Sequence, residues 1–195
     1  MLKTKITPLE LVLASLSAPA SADLIISEYI EGSSNNKAIE LYNNADTELS
    51  LEGYTLGLYS NGSSSVGNSI DLSGTLAANT TYIISNSGAD AAILDIADIT
   101  STVTYYNGDD ALVLTKDGVV VDSFGQVGVD PGSFWSDDTV QTQNKTLRRK
   151  NSITTGRTDS TATFNPSDEW EQFDSDTFDG LGSHAGDGGT APAPD

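Results

Sequence analysis

The chain has 195 residues, with 28 Asp and Glu against 9 Lys and Arg, a formal net charge of −19, one His and no Cys. That length suits one domain with short appendages and excludes a large multidomain enzyme. A Cys/His zinc centre, a thiol nucleophile and a disulfide framework are excluded as well, so any metal must be held mainly by oxygen.

Residues 1 to 22 read as a signal peptide. Lys3 and Lys5 give a positive start, Leu9 to Leu16 an apolar run interrupted by Glu10, and Ala20-Ser21-Ala22 a small-residue cleavage site. The expected localisation is therefore secreted and extracellular. Cleavage leaves 7 basic against 27 acidic residues, a net charge of −20. No other stretch approaches the ~18 apolar residues that span a bilayer, so no membrane span is expected.

From Asp23 onward the apolar residues come in short runs: Leu24 to Ile26, Ala38 to Tyr42, Tyr54 to Tyr59, Tyr82 to Ile84, Val103 to Tyr106, Ala111 to Leu114 and Val119 to Val121. Clusters of Gly, Asn, Ser and Asp separate them, a pattern of many short strands joined by turns. It predicts an all-β sandwich or barrel. Helical periodicity is nearly absent, Ala89 to Ile96 being the best stretch for it. Ala111 to Thr115 and Val119 to Ser123 flank Lys116-Asp117-Gly118, whose Asp-Gly step supplies positive φ, so a hairpin is predicted with Leu112 and Leu114 on its core face. Residues 185 to 195 hold no large apolar side chain and read as a disordered tail or the start of a linker.

Three spaced segments carry a resemblance: Leu24 to Gly32, Asn36 to Asn43 and Leu49 to Leu56. Together they resemble the opening of a lamin-tail domain, an immunoglobulin-like β-sandwich. Thr146 to Lys150, Phe164 to Trp170 and Asp176 to His184 narrow the likeness to the lamin-tail domain (LTD) at the N-terminus of secreted bacterial nucleases of the endonuclease/exonuclease/phosphatase family. The likeness covers 23 to 184. It implies an all-β, immunoglobulin-like sandwich there; read physically, Phe164, Trp170, Phe173 and Phe178 are core or edge-sealing aromatics, with a ligand-stacking platform as the alternative. The catalytic domain of such nucleases is longer than the eleven residues after 184, so the resemblance does not bring hydrolytic chemistry to this chain.

Read residue by residue, the catalytic set is empty. His184 beside a Gly/Ala tail lacks the fixed partner that a general base needs, and no Ser/His/Asp triad is credible. Two acidic groups are the expected Ca²⁺ ligands: Asp174, Asp176 and Asp179, whose spacing resembles the start of an EF-hand loop one residue out of register, and Asp109 with Asp110. The plainer reading of both is a solvated acidic surface that keeps an exported protein soluble. No other cofactor is expected. Lys145, Arg148, Arg149, Lys150 and Arg157 form the one basic island, five of the seven basic residues left after cleavage. They are either phosphate contacts or braces within the sandwich; the net charge favours braces and disfavours nucleic acid as a partner. The function expected is a non-catalytic accessory module of an extracellular nuclease, docking on a protein or cell-envelope partner. The alternatives are a chain that belongs to a DNA-hydrolysing nuclease by parentage, and a Ca²⁺-dependent adhesion domain.

Overall fold

The computed structural model describes residues 24 to 184. The signal peptide expected at 1 to 22 and the tail or linker expected at 185 to 195 lie outside the described residues. Twelve strands follow in chain order. The first six are β1 (Leu24–Glu31), β2 (Lys37–Asn43), β3 (Leu49–Ser50), β4 (Tyr54–Tyr59), β5 (Asn68–Asp71) and β6 (Thr75–Leu76). The others are β7 (Thr81–Ser85), β8 (Ile99–Thr100), β9 (Ala111–Lys116), β10 (Val119–Phe124), β11 (Lys145–Arg149) and β12 (Trp170–Phe173). Two four-residue helices, α1 (Ala91–Leu94) and α2 (Pro166–Glu169), lie in the connections. Among the described residues no helix is long and apolar enough to cross a membrane.

A six-stranded sheet, ordered β12-β11-β1-β2-β7-β8, packs on a four-stranded sheet, β10-β9-β4-β5. All pairings are antiparallel except β7 with β8. Alternation along the strands builds the core. Ile26, Tyr29, Ile39, Leu41 and Leu147 face Leu56, Leu58, Leu112, Leu114 and Phe124 across the sandwich. Phe124 stacks on Tyr29 at 4.2 Å and meets Trp170 edge-on at 5.1 Å, so aromatic rings join the two sheets at one end of the core. Phe164 and Trp170 are buried, while Phe173 and Phe178 are half-buried at the margins.

The predicted hairpin forms between β9 and β10. Lys116 pairs with Val119, and Asp117 and Gly118, with φ of 49° and 78°, make a two-residue turn whose twist suits the strands. Leu112 and Leu114 are buried as expected. Val103 to Tyr106 departs from the strand reading. Thr102–Thr104 form a 3₁₀ turn capped by the Ser101 hydroxyl, and the Tyr106 hydroxyl donates to the carbonyls of Ile30 and Ala38. Val103 and Tyr106 are therefore buried in the main core without forming a strand, while Tyr105 between them stays exposed.

A second, smaller apolar cluster lies on the opposite face of the six-stranded sheet. Ile30, Ala38 and Ile83 meet Ile93 of α1 and Leu181, with Phe178 packed against them. The segment from Asp176 to His184 thus crosses the outer face of the sheet as a strap. It is anchored by Thr146 Oγ1 donating to Thr177 O at 2.9 Å and by the ring of His184 against Tyr42 at 4.9 Å.

Candidate functional site: a charged cleft beneath the C-terminal strap

The register of the sheet sets a row of charge across its outer face. Glu40 on β2 lies opposite Glu28 on β1, Glu28 opposite Arg148 on β11, and Arg148 opposite Glu171 on β12. The strap closes over part of this row and leaves a cleft of about 490 Å³, lined among others by Glu28, Arg148, Lys150, Glu171, Asp179 and His184. Gly180 rests directly on the charged pair, and a Cβ there would overlap Arg148 Nε and Glu28 Oε2. Close backbone approach is what this glycine provides.

Glu28 is 2% exposed. Its Oε2 lies 3.3 Å from Arg148 Nε, within ion-pair range but not aligned as a hydrogen bond, and its Oε1 is buried with no hydrogen-bond partner. Burial pushes the Glu28 carboxyl up to about 8, against the pull of Arg148. Glu40 is raised to about 7 by burial, although it accepts hydrogen bonds from Ser27 Oγ at 2.7 Å and Gly182 N at 2.6 Å. Arg148 turns its other side to Asp179, and this hydrogen bond holds the Asp179 carboxyl below its ordinary value. Phe173 supplies a ring 4.1 Å below the guanidinium.

Behind the cleft lies a buried ion pair that sequence reasoning missed on one side. Arg149 and Asp122 are both fully buried, with Nη2 2.8 Å from Oδ2 and 3.0 Å from Oδ1. They repair a break in the sheet. β1 bulges between Ile26 and Glu28, and its pairing with β11 begins only at Glu28. There Ile26 N donates to Asp122 Oδ2 at 2.7 Å, while Arg149 Nε donates to Ile26 O at 2.7 Å. Asp122 also accepts from the backbone N–H groups of Ser123 and Arg157, both at 2.8 Å, and Arg149 reaches Glu169 at 3.1 Å. The guanidinium sits 4.8 Å from the Trp170 ring centroid. Because Asp122 belongs to the four-stranded sheet and Arg149 to the six-stranded one, the pair joins the layers.

The other members of the basic island also end on groups of the chain, outside the buried pair. Lys150 Nζ donates to Ser167 O at 2.6 Å, Lys145 pairs with Asp174 at 3.3 Å, and Arg157 donates to Ser123 Oγ and to the carbonyls of Gly125 and Ala162. Its five cations do not form one patch. Nor do the predicted Ca²⁺ ligands gather round one point. Asp174 turns to Lys145 and Asp179 to Arg148. Asp176 accepts from Ser33 N at 2.9 Å and Asn36 Nδ2 at 3.0 Å; burial opposes its ionisation, but these bonds outweigh it and hold the carboxyl low. Asp110 accepts from Asn61 N and Asn107 N, at 2.7 and 2.8 Å, beside Asp109. Among the described residues no three His, Asp or Glu side chains form a group that could hold a metal ion. The setting of His184 differs from the sequence reading: the ring is half-buried on Tyr42, and burial, helped by Arg149, lowers its pKa to about 4.

Comparisons with known proteins bear on this architecture. The family model of the Lamin Tail Domain matches residues 17–128. No curated protein matches the chain. Among solved structures, the chain is similar to a DUF4876 family protein from Bacteroides thetaiotaomicron VPI-5482, known from a 2.50 Å crystal structure. The TM-score is 0.46 at 13% identity, covering 77% of this chain and 71% of the other. β11, β12 and the strap fall beyond the family match, as a C-terminal extension that completes one sheet. With the model spanning more than half of the sequence and the sandwich in place, the chain belongs to the lamin tail domain family.

Proposed function

We propose that the chain is a non-catalytic accessory module, exported and docking on a protein or cell-envelope partner on behalf of an extracellular nuclease. The observation that carries this reading is the fate of the charged groups. All five cations of the basic island end on acceptors of the same chain, at Glu28, Asp122, Glu169, Asp174, Asp179 and backbone carbonyls. Phosphodiester hydrolysis needs a metal or cation clamp on the phosphate and a base for water. Here the cations are committed, and His184, its pKa lowered to about 4 by burial, makes no hydrogen bond to an acid or hydroxyl among the described residues that would orient it as a base. Glu28 and Glu40 have raised proton affinities, but Glu40 is held by Ser27 and Gly182, and burial under the strap accounts for both shifts.

The test is direct. Supercoiled plasmid incubated with the purified chain in Mg²⁺, Mn²⁺ or Ca²⁺ should remain intact over hours. Reproducible nicking that a single carboxylate substitution abolishes would place a catalytic centre in this chain and end the accessory reading.

A further inference from the structure

A second cleft, of about 370 Å³, opens at one end of the sandwich, away from the charged row. Three connections form it: the β1–β2 loop with Asn35, joined by Lys37 at the start of β2, the turn after β7 with Asn86 and Gly88, and the segment after the 3₁₀ turn with Tyr105 and Asn107. Its size is that of a small-molecule site.

The chemistry of the lining is narrow. Tyr105 presents its ring to solvent, being 55% exposed, whereas its neighbour Tyr106 is buried and pinned through its hydroxyl. Asn86 is only 6% exposed, and its Oδ1 is fixed by Gly88 N at 2.9 Å. Among the described residues no group accepts from the Asn86 amide nitrogen, which is left to donate into the cleft it lines. The side-chain amides of Asn35 and Asn107 make no hydrogen bond within the described residues. The one charged lining residue, Lys37, is paired with Glu31 at 2.8 Å.

Each class of ligand can be weighed against these groups. An anion would need a free cation, and Lys37 is spent on Glu31 in a chain whose overall field is strongly negative. A cation would need a carboxylate, and none lines the cleft. A purely apolar ligand would strand the Asn86 amide away from water. What remains is a neutral, polyhydroxylated ligand with an apolar face: its C–H face would cover the Tyr105 ring while its hydroxyls exchange hydrogen bonds with the amides of Asn35, Asn86 and Asn107. We infer that this cleft binds a neutral carbohydrate, a sugar unit of an envelope or extracellular glycan. The inference rests on the docking role proposed above and supplies its ligand class.

The wall of the cleft is pre-organised. Asp176 in the strap holds Ser33 N and Asn36 Nδ2, and Asn36 Oδ1 accepts from Asp90 N at 2.8 Å, so the β1–β2 loop is tied to the strap and to the start of α1. Fixing the loop before the ligand arrives reduces the entropy lost on binding.

Cellohexaose, maltohexaose, xylohexaose and N-acetylchitohexaose, each added to the purified full chain, provide the probes, with saturation-transfer NMR and calorimetry as readouts. At least one should bind with saturation transferred to its ring protons, and Tyr105→Ala should weaken it by about tenfold or more with an unchanged melting temperature. Asn86→Ala should weaken it as well. Failure of all four to bind, binding that survives Tyr105→Ala, or tighter binding of sulfated heparin oligosaccharide at the same residues would overturn the inference. None of these results alters the plasmid assay, so the accessory reading stands or falls separately.

Discussion

Replacing Asp122 or Arg149 by Ala is expected to destabilise the protein by about 3–5 kcal/mol, because either change leaves a buried charge without its partner. Asp122→Ala leaves Arg149 only the half-buried Glu169 and removes the acceptor used by Ile26 N, Ser123 N and Arg157 N. Arg149→Ala strands Asp122 and leaves Ile26 O without its donor at the bulge. Domains of this size are held by about 5–15 kcal/mol in total, so either variant should unfold at much lower urea. Tryptophan fluorescence follows the transition, since Trp170 lies against the Arg149 guanidinium. Paired replacement, Asp122→Leu with Arg149→Met, removes both charges and is expected to recover part of the loss. Single variants within about 1 kcal/mol of the parent would show that the pair does not brace the sandwich.

The second large effect is on pH dependence. The Glu28 carboxyl has a folded value near 8 against an ordinary 4.5, so the folded chain holds a proton that the unfolded chain releases throughout that window. The corresponding stability is fully present below pH 4.5 and is lost as pH rises through 8; Glu40 acts in the same sense up to about 7. Each unit of displacement corresponds to about 1.4 kcal/mol. His184 acts oppositely: with a folded value near 4 it weakens the fold as pH falls from 6.5. The groups facing Glu28 are Arg148, Glu40 and Asp179, of which only Glu40 changes charge in the alkaline half of the window. Unfolding midpoints should therefore fall between pH 6.5 and 9. The difference between Glu28→Gln and the parent should grow in the variant's favour with rising pH. Parallel profiles would show that Glu28 is already ionised against Arg148 at neutral pH.

Local chemistry was legible in the sequence where it decides local structure. Asp117-Gly118 dictates a hairpin turn whatever surrounds it, and alternation around Leu112 and Leu114 assigns their face. The sequence offers Arg148 and Arg149 as braces or phosphate contacts without naming their partners. Pairing of β11 with β1 joins residues more than a hundred positions apart, and periodicity carries no information about which strand lies alongside. Asp122 gave one overlooked signal: a carboxylate that follows three valines in a strand, with Ser123 and Phe124 after it, is rarely buried without a charged partner. The acids from Asp174 to Asp179 show how little spacing says about direction. Their spacing resembles a metal loop, yet the strap conformation sends neighbouring side chains in different directions, to Lys145, to the β1–β2 loop and to Arg148. The glycan cleft left no sequence trace, since Asn35, Asn86 and Asn107 are ordinary loop residues until three connections bring them to one end.

The central claim is that the basic island serves the fold and not a ligand. Fluorescence anisotropy of a labelled DNA duplex with the purified chain, at low and at physiological salt, tests it most directly. Cations already paired within the chain release few counterions from DNA, and exposed contacts are screened at physiological salt. The account predicts no measurable binding there at micromolar protein. Submicromolar binding at physiological salt, falling steeply as salt is raised and lost in a folded Lys145→Ala/Lys150→Ala variant, would contradict it.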